Sequence, residues 1–225
     1  VTIIGFEEGV VLSSDKYGRV VDSDDADNKG VVTFKNLTMK TDHAWAAALY
    51  AKNYVTVNLI DVTLQTAGTT AILLDSSNDI NNQHHNANTI VNVTNVTIDE
   101  GDYVELNANP CTSYQTDIVS YASFNYDETS NIGIVKPQGI TRSTGDNLFV
   151  NGVALPAGYY VTNTSELKAT SGRADASLIN LFPGEYELSG VAFTANNVTL
   201  KGVDKVKSVL NLSKSIYLQD KVVNL

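Results

Sequence analysis

Three short runs along the chain share one pattern of hydrophobic and polar positions. In each run an apolar or aromatic residue is followed two positions later by Asn or Asp, and then by an apolar residue, Thr and another apolar residue. The runs are Phe34–Met39, Leu59–Leu64 and Val93–Ile98. Alternation of this kind with β-branched residues predicts strands, and helical periodicity is nearly absent from the chain. The chain is therefore predicted to be all-β.

The recurrence of the pattern every few tens of residues, with variable insertions, is typical of a solenoid. Asn or Asp at the shared position tolerates the left-handed backbone conformation and can hydrogen-bond to its counterpart in the next strand. The apolar positions should mostly point into one continuous core. This set consists of Val32, Phe34, Leu37, Val55, Val57, Leu59, Val62, Ile90, Val93, Val96 and Ile98.

The runs Val32–Met39 and Asn197–Gly202 resemble rungs of right-handed parallel β-helices of the pectate-lyase-like type. The stretch from 164 to 188, which includes the turn Pro183-Gly184, resembles the start of such a domain in secreted bacterial proteins, where a short helix caps the open end. The resemblance implies a right-handed parallel β-helix (a solenoid) with a short capping helix near residues 164–170.

The residue types of the predicted helix agree with that implication. Thr164 or Ser165 can serve as its N-cap. Leu167 and Ala169 are expected on its buried side.

The opening of the chain is repeated near its end, since Val1–Gly5 is similar to Val198–Gly202. Two further pairs of runs follow in the same order: Val10–Ser13 with Val209–Leu212, and Gly30–Thr33 with Lys221–Asn224. Either a long unit repeats in tandem, or short strands of one stacked fold resemble each other. We predict two domains: β-helix rungs with an irregular closing region over 1–147, and the cap and first rungs of a second unit over 148–225. Uncovered rungs at the ends would favour end-to-end self-association.

The net charge of −10, with no basic cluster, argues against nucleic acid or an anionic membrane surface as a partner. No apolar run approaches the length of a membrane span. An acidic chain rich in Asn, Thr, Ser and Tyr is typical of a secreted or bacterial cell-surface protein.

A cluster of carboxylates lies at Asp22, Asp24, Asp25 and Asp27. Four neighbouring carboxylates repel one another unless they spread into solvent or share a cation, and calcium prefers hard oxygen ligands. The spacing departs from the EF-hand pattern because Ala26 occupies the third ligand position. A solvated turn and a calcium site are both consistent with this loop.

Aromatic and polar residues gather at His43, Trp45, Tyr50 and Tyr54. An aromatic ring offers an apolar face to a sugar, while neighbouring polar groups bind its hydroxyls. These residues either pack over a corner of the fold or contact a glycan.

No acid–base pair, nucleophile or phosphate-binding motif is evident, so no catalytic or cofactor-binding residue is predicted, and calcium is the single candidate cofactor. We expect a surface stalk or adhesin that contacts glycans. The alternative is a polysaccharide lyase or glycoside hydrolase of the same fold, which rests on analogy of fold. A cluster of aspartate with lysine or arginine on one sheet face would favour the enzyme.

Overall fold

The computed structural model describes most of the chain. The described residues are 1–7, 9–14, 21–24, 30–44, 46–52, 55–68, 70–76, 88–99, 102–108, 121–139, 141–203, 208–213 and 222–225. For residues 21–24 and 141 only the backbone is described.

The described residues are mostly β-strand, as predicted. The strands of the first part of the chain are β1 (Thr2–Ile4), β2 (Val11–Ser14), β3 (Val21–Asp24), β4 (Val31–Thr41), β5 (Leu49–Lys52), β6 (Thr56–Thr66), β7 (Thr70–Asp75), β8 (Asn88–Thr94), β9 (Thr97–Ile98), β10 (Tyr103–Asn107), β11 (Tyr121–Tyr126) and β12 (Ile134–Pro137). The remaining elements are β13 (Thr141–Ser143), β14 (Leu148–Val150), β15 (Val153–Ala154), β16 (Gly158–Val161), α1 (Thr164–Ser171), β17 (Leu178–Leu181), β18 (Gly184–Glu187), β19 (Asn197–Gly202), β20 (Ser208–Asn211) and β21 (Val222–Asn224).

The chain forms two compact units, residues 1–136 with 146–155, and residues 137–145 with 156–225. The predicted boundary near residue 147 falls within this interleaved stretch. The interleaving follows from strand pairing, because β14 pairs with β11 of the first unit whereas β13 pairs with β16 of the second.

Two sheets build the first unit, and successive strands from β2 to β8, and again from β9 to β12, lie in alternate sheets. The first sheet has the order β1-β4-β6-β8-β11-β14-β15, with β2 also beside β4 and β9 beside β6. The second has the order β12-β10-β7-β5-β3. From β4 to β10, strands that follow one another within a sheet pair in parallel. Among the described strands of the first sheet, the β14–β15 pair at its end is the antiparallel one.

The Asn or Asp of the shared sequence pattern bends the strands of the first sheet. Asn36, Asp61 and Asn95 all adopt the left-handed conformation, with φ of 55°, 53° and 51°. The amide of Asn95 donates to the Asp61 carboxylate at 2.8 Å, as expected for counterparts in neighbouring strands. The bend lies inside β4 and β6 and restarts the alternation, so that the apolar residue directly after it, such as Leu37, points inward again.

The first unit has one apolar core, and most of the predicted core positions lie in it. Val32 is partly buried against that core, and the other predicted positions except Ile90 are buried within it. The prediction for Ile90 is wrong. Its register partners are Thr56 and Ser123, so it lies on the outer face, and its neighbour Val91 takes the inward position.

A third sheet, with the order β13-β16-β17-β19-β21, and a two-stranded fourth sheet, β18-β20, build the second unit. All of their pairs are parallel except β13–β16. The fully buried Tyr186 lies in their core, and its hydroxyl group reaches the carbonyl oxygens of Phe182 and Val161 at 2.9 and 3.0 Å. The one polar atom of this side chain is therefore satisfied.

The short helix predicted near 164–170 is present as α1, but its cap differs from the prediction. The backbone of Asn163 is extended, and its side-chain oxygen accepts a hydrogen bond from the Glu166 backbone N–H at 2.9 Å. Thr164 instead accepts from the Glu187 backbone N–H at 3.0 Å. Leu167 is buried as predicted, whereas Ala169 is exposed.

Candidate functional site

A polar pocket of about 370 Å³ opens on the second unit, a volume in the range of small-ligand sites. Strand β13 runs antiparallel to β16, which sets Arg142 opposite Tyr159. The turn after α1 brings Asp175 to the same place. Residues that line the pocket include Arg142, Ser143, Gly158, Tyr159, Asp175 and Ser177.

Asp175 is the centre of the polar contacts in this pocket. Its Oδ2 accepts a hydrogen bond from the Tyr159 hydroxyl at 2.8 Å and lies 3.4 Å from Nη1 of Arg142. The side chains of Arg142 and Asp175 are 57% and 51% exposed, so the ion pair is open to a ligand from solvent. The hydrogen bond from Tyr159, then that from the backbone N–H of Asp175 itself, and last the nearby guanidinium groups hold the pKa of the Asp175 carboxyl below its usual value. Asp175 is therefore an acceptor at neutral pH.

Tyr159 forms the floor of the cluster and offers little ring surface of its own, since it is only 6% exposed. The guanidinium carbons of Arg142 and Arg173 lie 5.8 and 5.5 Å from its ring centroid, within cation–π range. Burial, and then the hydrogen bond to Asp175, raise the pKa of the Tyr159 hydroxyl, which stays protonated and donates. Recognition in this pocket would rest on hydrogen bonds and charge.

Gly158 lets two strands approach closely at the edge of the pocket. Its φ of 135° is rarely adopted by residues with a side chain, and a Cβ there would lie 2.8 Å from the Asn180 amide nitrogen. That amide donates to the Tyr159 carbonyl oxygen at 3.2 Å. The backbone that positions Tyr159 therefore requires glycine at 158.

The predicted calcium ligands fall partly on β3. Asp22 and Asp24 lie on this strand, at the register positions of Tyr50 and Lys52 in β5, whereas Asp25 and Asp27 lie outside the described residues. Lys52, a cationic residue, is thus the register neighbour of the predicted calcium ligand Asp24. Among the side chains that the structure describes, no three of His, Cys, Asp and Glu come together to hold a metal ion.

Of the predicted glycan contacts, His43 and Tyr50 are described, and Trp45 and Tyr54 lie outside the described residues. His43 follows β4 and is partly exposed, with its backbone N–H donating to the Thr41 hydroxyl at 3.2 Å. Tyr50 is only 9% exposed, and its hydroxyl donates to Asp75 at 2.7 Å. The structure thus gives Tyr50 a packing contact inside the first unit.

The other buried carboxylates of the first unit are also tied into its hydrogen bonds. Asp75 accepts from the Asn107 amide at 3.1 Å as well as from Tyr50, and Asp102 accepts from the Thr66 hydroxyl at 2.7 Å. Burial raises the pKa of the Asp102 carboxyl, and the bond from Thr66 partly offsets this. The contacts of Asp75 join the neighbouring strands β5, β7 and β10, whereas the contact of Asp102 ties the residue before β10 to the end of β6.

The sequence pattern predicted no role for the pocket residues. The signal that could have pointed to them is that Arg142 and Arg173 lie outside the repeated strand runs. The pairing of Arg142 with Asp175 depends on the antiparallel β13–β16 contact.

Comparison of the chain with protein-family models, with curated proteins and with solved structures finds no match. Within the described residues, no helix combines the length and the apolar character that a membrane crossing needs.

Proposed function

We propose that this chain is a module of a secreted or surface-exposed bacterial protein, a stalk or adhesin folded as a right-handed parallel β-helix, and that it binds a glycan in the polar pocket of the second unit. The alternation of the chain between two sheets supports the β-helix, since each pass through both sheets makes one coil. Parallel pairing at constant register, as in β4–β6–β8, is what stacked coils require.

A ladder of polar side chains on the first sheet supports the stalk. Asn125 donates to Asn92 at 2.9 Å, Asn92 to Asn58 at 3.0 Å, and Asn58 to Thr33 at 3.2 Å. All four occupy one register row across β11, β8, β6 and β4. Each Asn donates its hydrogen bond to a polar side chain of the neighbouring strand. Further strands can therefore be added to the sheet with the same contact, which suits an elongated stalk.

The single observation that carries glycan binding is the half-exposed Arg142–Asp175 pair in its pocket. A sugar hydroxyl both donates and accepts, and the pair offers a donor beside an acceptor. Ser177, exposed at the same pocket, adds a hydroxyl. Two guanidinium groups, that of Arg142 in the lining and that of Arg173 over the Tyr159 ring, lie near one lining carboxylate, Asp175. This favours a sugar that carries an acidic group although the chain as a whole is negative.

The test is a glycan array with neutral and acidic sugars, followed by calorimetry on the ligand it selects. We expect Arg142→Gln to weaken binding by roughly 10- to 100-fold, the effect of losing a hydrogen bond to a charged group. Lys35→Gln, at an exposed position of β4 in the first unit, makes the same charge change and should leave affinity unaltered. An array without a ligand, or equal affinities for the two variants, would contradict the proposal.

We also expect no turnover of the bound glycan or of polyuronic acids. Release of unsaturated or reducing ends that one point substitution abolishes would favour the lyase or hydrolase instead.

A further inference from the structure

Two arginines border the polar pocket of the second unit, and their surroundings differ. Arg142 lies on β13 and lines the pocket, and its Nη1 is 3.4 Å from Oδ2 of Asp175. Arg173 follows α1 and is exposed. Its guanidinium carbon lies 5.5 Å from the ring centroid of Tyr159, which also lines the pocket. Both guanidinium groups thus border the same small area of the second unit.

The positive charge of Arg142 is already opposed by a carboxylate. An anionic group bound to Arg142 would also meet Oδ2 of Asp175, and two negative charges at such a distance repel each other. A neutral hydroxyl group has no such penalty, because it accepts from the guanidinium group and donates to the carboxylate. The Arg142–Asp175 pair therefore suits a hydroxyl group better than an acidic one.

The guanidinium group of Arg173 is held at the pocket by an aromatic ring. Among the side chains that the structure describes, no carboxylate lies within ion-pair distance of this group. Its attraction to the Tyr159 ring is of the cation–π kind, which leaves its charge unneutralised. Arg173 is therefore the cation of this area that is better suited to an acidic group.

The turn between α1 and β17 fixes the spacing of Arg173 and Asp175. The Arg173 backbone N–H donates to the Thr170 carbonyl oxygen at 3.0 Å, and the Ala176 N–H donates to the Arg173 carbonyl oxygen at 3.3 Å. Ala176 is only 1% exposed and packs in the core of the second unit. The cation and the acceptor are therefore carried two residues apart on one anchored stretch of backbone.

We propose that Arg173 is the residue that selects an acidic sugar, whereas Arg142 and Asp175 bind a hydroxyl group of the same ligand. This inference rests on the proposed glycan binding and deepens it, because it assigns the preference for acid to a residue outside the pocket lining. The acidic group, a carboxylate or a sulfate, lies toward Arg173. There it forms charge-assisted hydrogen bonds with the guanidinium group.

The test measures Kd by calorimetry for the methyl glycosides of glucose, glucuronic acid and glucose 6-sulfate, and for the same three forms of galactose. Within each series the probes differ only at carbon 6, and the two acidic forms distinguish a carboxylate from a sulfate ligand. The wild type should bind at least one acidic form roughly tenfold more tightly than the neutral sugar, the effect of a hydrogen bond to a charged group.

The two arginines should respond differently in this assay. Arg173→Gln should bring the affinities for the acidic and neutral forms close together and leave the Kd of the neutral sugar unaltered. Arg142→Gln should weaken binding of both forms alike and preserve their ratio. Arg173→Lys, which retains the charge, should restore part of the preference.

Lys168→Gln is the matched control, since Lys168 is an exposed residue of α1 and its loss makes the same change in net charge. It should keep the full preference for the acidic form. An equal loss of preference in Lys168→Gln and Arg173→Gln would overturn the inference, because it would reflect the overall charge of the unit. A preference that survives Arg173→Gln, or that is lost in Arg142→Gln, would overturn it as well.

The outcomes separate this inference from the proposed function. A wild type that binds the neutral and acidic forms with equal affinity would overturn the role of Arg173 alone, since a glycan is still bound. A wild type that binds none of these probes and no sugar on the glycan array would overturn both.

Discussion

The left-handed residues of the first sheet give a prediction whose size follows from backbone geometry. Asn95 adopts φ of 51°, whereas Asn92, three residues earlier, lies in the strand β8 outside the left-handed region. Each side chain donates one hydrogen bond along the sheet, to Asp61 and to Asn58 respectively. Ala and Gly both remove these bonds, so the difference between the two substitutions at one position isolates the backbone.

The free energy of unfolding of the Asn92→Gly variant should be lower than that of Asn92→Ala by about 0.5–1 kcal/mol, because Gly loses more backbone freedom on folding. At residue 95 the backbone entropy that Gly loses is outweighed by the strain of Ala in the left-handed conformation, about 1–2 kcal/mol. The Asn95→Gly variant should therefore be more stable than Asn95→Ala. The entropic cost of Gly is the same at both positions. The Gly-minus-Ala difference in the free energy of unfolding at residue 95, less the same difference at residue 92, should therefore equal the left-handed strain of Ala, about 1–2 kcal/mol.

Urea unfolding of the full-length variants, followed by circular dichroism, measures the four free energies of unfolding. The preference is expected to reverse between the two positions, Ala at 92 and Gly at 95. Ala equal to or better than Gly at 95 would refute the argument that this position selects Asn for its left-handed backbone.

Three further predictions test the core, a charged contact and the predicted calcium site. Val62→Asp should unfold the first unit, because Val62 is 2% exposed and a buried unpaired charge costs several kcal/mol, whereas Gln65→Asp at an exposed position of the same strand should change the urea midpoint little. Glu187 accepts from the Ser189 and Ser213 backbone N–H groups at 2.8 and 3.3 Å, which lowers its pKa to about 2. The stability that ionised Glu187 contributes should therefore be fully present above about pH 4.5 and be lost as the pH falls through 2. Titration followed by NMR checks this, and a Glu187 carboxyl resonance that titrates near pH 4.5 would contradict the lowered pKa. If the aspartates of β3 bind calcium, millimolar calcium should raise the Tm of the wild type but not of Asp24→Asn, and an unchanged wild-type Tm would remove the calcium site.

The sequence by itself determined the features that depend on local geometry. The position shared by Asn36, Asp61 and Asn95 predicted the left-handed bends, because few residue types tolerate that backbone and the side chain meets its counterpart one strand away. Nearly all of the apolar positions that the spacing around the bends predicted to point inward do so, although inward residues such as Met39 and Leu64 were not among them. The short helix was also predicted, through the resemblance of residues 164–188 to the start of a β-helix domain; Leu167 is buried as predicted, but the N-cap is Asn163 and Ala169 is exposed.

Only the tertiary structure decided which of two adjacent apolar residues faces inward, as at Ile90, because the register with neighbouring strands sets that phase. The helix cap moved to Asn163 because the chain enters there in extended conformation, with its side chain aimed at Glu166. The pocket is the clearest case. Arg142 and Asp175 lie far apart in sequence, and an antiparallel strand pair together with a turn after the helix brings them within 3.4 Å. Local patterns specify the repeated strands because each strand meets similar neighbours, but a site assembled from unlike segments depends on the path of the whole chain.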